Sequence, residues 1–239
     1  MEYRAVIFDL FGTLVCDLVG PKYTDTLTRM ATVLSIPADD FLKKWSDTSY
    51  ERNTGTFPTV EANLVHICEE LGVQPKGNEV NLAARIRQDY AKLVMNRSRS
   101  GAKEVLSRLK QMGCKVGLIS NCTPDAPAVW PKIPLASLID VAVFSSSVHL
   151  MKPNCRIYKL TVERLGVESK GCLYVANGQN SELHGAREVG MYPALITSGM
   201  DEEFVYMRPE DEEISLAEQE GTVISSLEEV LNIVRASRS

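Results

Sequence analysis

Residues 4–14, Arg4-Ala5-Val6-Ile7-Phe8-Asp9-Leu10-Phe11-Gly12-Thr13-Leu14, decide how the chain is read. A short apolar run ends on a carboxylate and is followed by a glycine-containing turn. A continuous apolar run bounded by a turn is the pattern of a strand buried on both faces, and such strands belong to parallel sheets. Working outward, residues 114–119 repeat the pattern and end in Ser120-Asn121. Residues 141–144 end in a serine cluster, and residues 172–175 end in Ala176-Asn177-Gly178. Ala194-Leu195-Ile196 is a weaker fifth run.

Helical patterns alternate with these runs. Ala102, Val105, Leu106, Leu109 and Met112 keep helical spacing up to Gly113, and Ile157, Leu160 and Leu165 do so up to Gly166. Ser226 and Glu229 have capping-box spacing at the start of a last helix through Leu227, Val230, Leu231 and Val234. Strands alternating with helices predict an α/β fold with a doubly wound parallel sheet. The alternation breaks between residues 16 and 98. There Leu64, Ile67 and Leu71 suit one helix and Ala84, Ile86, Tyr90 and Leu93 another, with Pro58 placed to begin a helix. The expected organisation is an α/β core of residues 1–15 and 100–239, interrupted by an all-helical module over 16–99.

Composition bounds the function. The 239 residues are 44% hydrophobic and 24% charged, an ordinary globular balance, and are enough to bury a core without disulfides. A net charge of −5 without a lysine/arginine cluster argues against nucleic acid as a partner. No apolar run reaches the roughly 18 residues of a membrane span. The six cysteines form no CxxC pair, and residues 1–14 do not read as a signal peptide, so a cytoplasmic location with reduced thiols is expected. Asp201-Glu202-Glu203 and Glu210-Asp211-Glu212-Glu213 read as solvated surface.

In an open parallel sheet, ligands sit beyond the carboxyl ends of the strands. Four such ends carry polar residues here: Asp9; Ser120-Asn121; the segment leading to Lys152; and Asn177 with Glu182. Any one of them is unremarkable in a turn, but four in order on one sheet edge point to a site.

With those residues in view, the chain resembles the haloacid dehalogenase (HAD) superfamily along nearly its whole length. The nucleophile motif is Phe8-Asp9-Leu10-Phe11-Gly12-Thr13-Leu14, and the second is Leu118-Ile119-Ser120-Asn121. The lysine motif is Lys152-Pro153-Asn154-Cys155-Arg156-Ile157-Tyr158. The fourth is Tyr174-Val175-Ala176-Asn177-Gly178 with Glu182 and the tail Gly185-Ala186-Arg187-Glu188-Val189-Gly190-Met191. The resemblance implies a Rossmann-like core, a helical cap over 16–99, and a hydrolase acting on a small anionic organic substrate. In it, Asp9 is the covalent nucleophile and Lys152 holds that carboxylate ionised. Ser120 and Asn121 donate hydrogen bonds to substrate oxygens or a departing anion, and Thr13 orients the loop or donates likewise.

Two departures set the expected chemistry. Phosphatases of the family carry a second Asp two residues after the nucleophile, where this chain has Phe11, and an Asp for Mg²⁺ where it has Asn177. Loss of such acid–base help typically costs about 10²–10⁴-fold. An aromatic at the Phe11 position is what the family's 2-haloacid dehalogenases have. Halide leaves without a general acid and attack at carbon needs no metal, so dehalogenase-like chemistry is favoured. The fourth motif lacks the string usual in that branch. The alternatives are a Mg²⁺-dependent phosphatase, its ion held weakly by Asp9, the Phe11 backbone oxygen, Asn177 and Glu182, and a catalytically idle binding protein. Arg29, Lys43, Lys44 and Arg52 are candidates for a substrate-binding cap cation, each read first as surface charge. His149 or His184 could stand in for the missing base, whereas His66 reads as structural. Trp45, Tyr50 and Phe57 are candidates to line a cleft, and Cys122 is a near-site thiol.

Overall fold

The computed structural model describes residues 2–16, 20–197 and 222–238. Six parallel strands form one sheet in the order β3-β2-β1-β4-β5-β6. They are β1 Ala5–Phe8, β2 Lys115–Ser120, β3 Val141–Phe144, β4 Cys172–Ala176, β5 Tyr192–Ile196 and β6 Val223–Ile224. The five apolar runs are all strands. β6 is an addition of two residues, too short to leave a periodic signal. β1 lies at the centre, with Val6 opposite Val116 on one side and Leu173 on the other. Because the strand period is two, Val6 and Phe8 pack into the apolar layer on one face, while Ala5 and Ile7 pack into the layer on the other.

Helices cover both faces. α6 (Ala102–Gln111) and α11 (Glu228–Ala236) pack with Val6 and Phe8, whereas α9 (Cys155–Leu165) and α10 (Glu182–Glu188) pack with Ala5 and Ile7. Two further short helices, α7 (Asp125–Val129) and α8 (Ser145–Val148), follow β2 and β3. The serine cluster after β3 is therefore a helical turn. Helix α11 starts at Glu228 without a reciprocal capping box. Instead, Glu229 Oε1 accepts from the backbone N–H of Ser225 (2.9 Å) and Ser226 (3.1 Å) and from the Ser225 hydroxyl (2.7 Å).

Between β1 and α6 lie five helices: α1 Pro21–Val33, α2 Ala38–Asp47, α3 Ser49–Asn53, α4 Val60–Glu70 and α5 Glu79–Met95. They enclose an apolar core of their own around Met30, Leu34, Phe41, Leu64 and Ile67, and no strand falls among their described residues. Pro58 stands before α4 and not in its first turn. Thr59 caps that helix, its hydroxyl accepting from Ala62 N–H at 3.2 Å. The two chain crossings are joined to each other: Cys16 N–H donates to Arg97 O at 3.0 Å and Arg99 N–H to Leu14 O at 2.8 Å.

The cap is also seated directly on the core. Gly55 (φ +72°) lies so close that a Cβ there would fall 2.0 Å from the Ser146 carbonyl oxygen. His149 Nδ1 is 2.8 Å from Thr54 O. The acidic stretches 201–203 and 210–213 lie outside the described residues. Five of the six cysteines are buried and Cys155 is partly exposed, and all six are free thiols. Among the described residues no helix is long and apolar enough to cross a membrane.

Candidate active site

The strand order reverses at β1 and β4, and there the polar strand ends converge. Asp9 leaves β1 with its N–H bonded to Val175 O on β4 at 3.0 Å. The chain then turns tightly. The N–H groups of Thr13, Leu14 and Val15 all reach Leu10 O, at 3.3, 2.9 and 3.0 Å, with Gly12 at φ +78° where a side chain would be strained. The Gly12 and Thr13 carbonyls turn toward the cap hinge. There the buried guanidinium of Arg99 donates to them at 2.5 and 2.7 Å. Arg99→Met is expected to cost about 1.5–3 kcal/mol, because two buried carbonyls lose charge-assisted donors. Chemical denaturation checks this, and Arg99→Lys should recover part of the loss.

Lys152 reaches the same point from the segment before α9. Its ammonium donates to Asp9 Oδ1 at 2.6 Å, to Glu182 Oε2, and to the Tyr174 hydroxyl at 3.2 Å. Glu182, at the start of α10, accepts on Oε2 from Tyr174 at 2.8 Å and on Oε1 from the N–H groups of Gly178 and Gln179, both at 3.2 Å. Asn180 and Ser181 enter that helix with φ of +54° and +51°, a strained approach typical of functional loops. Tyr158 bonds to the Glu182 carbonyl oxygen at 2.8 Å.

This is a buried ion cluster, and its protonation follows from burial and pairing. Burial pushes Glu182 up to about 7, Lys152 pulls it back down, and nearby Asp9 adds to the rise. Burial alone would lower Lys152, but the two carboxylates outweigh it and hold the ammonium above the ordinary lysine value. Burial and Glu182 keep Tyr174 well above a normal phenol, so it stays a donor.

The sequence-predicted residues divide into those left open and those already engaged. Asp9 Oδ2, Thr13 Oγ1 and Asn177 Nδ2 are buried side-chain atoms with no hydrogen-bond partner, and the buried Ser120 Oγ has only the Cys122 thiol beside it. Asn121, expected as a donor toward substrate, is instead spent on the lysine loop. Its Nδ2 donates to Lys152 O at 3.0 Å and its Oδ1 accepts from Lys152 N–H at 2.8 Å. Phe11 is 9% exposed and packs in the apolar layer that also holds Tyr90, Val94 and Met95 of α5.

A divalent ion finds a poor donor set here. Both Glu182 oxygens already accept hydrogen bonds, so of the four expected ligands one open carboxylate oxygen, Asp9 Oδ2, remains with two neutral donors, the Phe11 backbone oxygen and the Asn177 amide. Among the described residues no three His, Cys, Asp or Glu side chains group so as to hold a metal. Mg²⁺ favours carboxylates supplemented by phosphate and water.

None of the histidines stands where a base is missing. His149 faces the Thr54 carbonyl, His66 packs on Phe57 at 5.2 Å, and His184 is half-exposed beside Glu188 at 3.7 Å. Trp45 is core, donating to Tyr23 OH at 2.8 Å, and Tyr50 is 69% exposed. Burial pushes the Cys122 thiol up to about 12, with Asp125 adding to the rise, so it is no nucleophile. Of the cap cations, Lys43 is exposed, Lys44 pairs with Glu70 at 3.2 Å and Arg29 borders a groove against α5. Arg52 is buried and not the surface charge expected. Sequence reasoning missed Arg99 and Tyr174. A tyrosine inside an apolar strand, whose hydroxyl must find a partner, was the available signal for the second.

The model of the haloacid dehalogenase-like hydrolase family matches residues 3–190, and the chain belongs to that family. It is 25% identical over 201 residues to Phosphatase MT3486 of Mycobacterium tuberculosis, covering 82% of this chain and 88% of that one. It is 26% identical over 196 residues to an (S)-2-haloacid dehalogenase of Pseudomonas sp. (strain YL), covering 80% and 81%. A shorter match of 104 residues, 29% identical, joins 41% of the chain to 40% of Rhythmically expressed gene 2 protein of Drosophila melanogaster. Among solved structures, a HAD family enzyme of Bacteroides thetaiotaomicron crystallised with magnesium and inorganic phosphate shares the fold. Its TM-score is 0.64 at 16% identity, over 84% of this chain and 98% of that one.

Proposed function

We propose that this hydrolase uses Asp9 as a covalent nucleophile on a small 2-halogenated acid, without a metal. The observation that carries the reading is the asymmetry of Asp9: Oδ1 is held by Lys152, while Oδ2 is buried and open. Two residues on, the apolar ring of Phe11 stands where a proton donor would be needed to expel an alkoxide. Halide departure needs no such donor. Oδ2 attacks the halogen-bearing carbon, and the new C–O bond forms as the carbon–halogen bond breaks and halide leaves with the electron pair. Water then adds to the ester carbonyl of Asp9, releasing the 2-hydroxy acid and a proton and restoring the carboxylate. Ser120 Oγ and Thr13 Oγ1 are the open donors for the substrate carboxylate and the departing anion. Glu182 and Tyr174 hold the Lys152 ammonium in place.

The similarity to a mycobacterial phosphatase supports a second reading, hydrolysis of a phosphate ester with Mg²⁺. One experiment separates the two. Halide release from 2-haloacids is measured with a chelator present, beside phosphate release from an ester panel with Mg²⁺. Chelator-resistant halide release is expected. Phosphate release that disappears on chelation would put the second reading in its place.

A further inference from the structure

Helix α5 of the cap carries a charge into the core. Arg87 lies 2.9 Å from Asp125 of α7, the two side chains being 2% and 1% exposed. Arg87 also donates to Thr123 Oγ1 at 3.3 Å, and Thr123 donates in turn to Asp125 Oδ1. Arg87 Nη1 and Asp125 Oδ2 attract by charge without lining up as a hydrogen bond. Arg52 and Glu51, in the same electrostatic neighbourhood, bring the group to two charges of each sign. The group is balanced without a ligand, so its role lies in what it joins.

On the core side it joins the turn after β2. That turn, Ser120 to Asp125, carries the hydroxyl proposed as a donor to substrate, and it is held at three points. Asn121 exchanges two hydrogen bonds with the Lys152 main chain, at 3.0 and 2.8 Å. Cys122 N–H donates to Ser145 Oγ at 2.9 Å, and that hydroxyl donates back to Cys122 O at 3.3 Å. Thr123 and Asp125 are held by Arg87, and of the three ties this one comes from the cap. The Ser120 hydroxyl lies against the Cys122 thiol, so a shift of the turn moves it. A buried ion pair adds little net stability over apolar residues of similar size. It does fix a geometry, because drawing α5 away from α7 would strand a guanidinium and a carboxylate in the interior.

We propose that Arg87 and Asp125 are a positioning pair, which docks cap helix α5 on the Ser120 turn and so holds the Ser120 hydroxyl toward substrate. The effect on turnover rests on the reading of Ser120 as a substrate donor; the docking does not. Cys122 reports the docking. It is 2% exposed and shares an apolar layer with Tyr90 and Val94 of α5, so lifting α5 uncovers it. Cys172, fully buried in the layer on the opposite face of the sheet, reports global unfolding. Burial pushes both thiols up to about 12, so acidity favours neither.

The full chain is labelled with N-ethylmaleimide, and each cysteine is followed by mass spectrometry. Arg87→Met should raise the Cys122 rate relative to Cys172 by about tenfold or more. Arg87→Lys, which keeps the charge, should recover most of the protection. If the methionine variant does not fold, Arg87→Met combined with Asp125→Asn, which orphans no charge, takes its place and should show the same ratio. In these variants kcat is compared on whichever of a haloacid or a phosphate ester the wild type turns over. It should fall about tenfold or more with methionine and return with lysine. An unchanged labelling ratio, or equal acceleration at both cysteines, would overturn the pair, since packing alone would then hold the cap. A raised ratio with unchanged kcat would overturn its positioning of Ser120. Phosphate release in place of halide by the wild type would overturn the dehalogenase reading alone, because the labelling ratio and the kcat comparison still decide the pair.

Discussion

Asp9→Asn is expected to remove turnover by on the order of 10⁴–10⁶-fold while leaving the fold intact. The amide is nearly isosteric with the carboxylate but does not attack carbon. Lys152 keeps Glu182 and Tyr174 as partners, so no buried cation is orphaned. The backbone tie from residue 9 to Val175 O is unaffected by the change. A direct check of the covalent route uses wild-type protein quenched during turnover in isotopically heavy water. Solvent oxygen should appear on Asp9, because water attacks the ester carbonyl of that residue and not the substrate carbon. Unlabelled Asp9 in a sample that is turning over would refute the ester intermediate.

Lys152→Met is expected to have the largest effect on stability. It leaves Asp9 and Glu182 facing each other in a site where the lysine side chain is only 4% exposed. Removing one member of a buried ion cluster costs about 3–5 kcal/mol. The loss should depend on pH with a definite sign. Burial already raises Glu182 to about 7, from an ordinary value of 4.5, against the downward pull of Lys152. Without that pull the carboxyl rises further. A carboxyl whose folded pKa exceeds its unfolded one contributes fully below the unfolded value, and the contribution is lost as pH rises through the folded one. Urea unfolding should therefore show the two proteins losing stability in parallel up to about pH 7, and the variant still losing it above about pH 7, where this contribution levels off in wild type. A pH-independent deficit would mean that Glu182 does not titrate in this cluster.

The fold was legible because its strands are buried on both faces. Val6, Ile7 and Phe8 need no alternation, and the turn at Gly12 closes the pattern. β6 escaped notice because two residues carry no period. The residues proposed for the candidate site, Asp9, Ser120, Lys152 and Glu182, were legible from their places after strands. Other roles depended on three-dimensional facts. Asn121 sits beside Ser120 in sequence, yet its amide is consumed by a lysine loop thirty-one residues on. Arg99 is unremarkable in a hinge until the Gly12 and Thr13 carbonyls turn toward it. Arg52 is one charge among many in the helical insertion, and only the packing of Trp45, Thr48 and Asn63 reveals that it is enclosed. Sequence spacing identifies residues that end strands; it does not say where a long side chain finishes.

The placement of β1 at the centre of the sheet has a consequence for how the molecule is made. Ala5 pairs with Lys115 on one side and with Cys172 on the other, so neither neighbour exists when β1 leaves the ribosome. The intervening helices have local partners and a nucleus of their own, and can condense while that apolar strand is still waiting. Their condensation shortens the effective tether between Val15 and Ser98, which meet in an isolated bridge, and so reduces the entropy of bringing β1 to β2. Assembly of the sheet is then the slow, late event, and the interval before it is when nascent chains are most exposed to self-association and to chaperones.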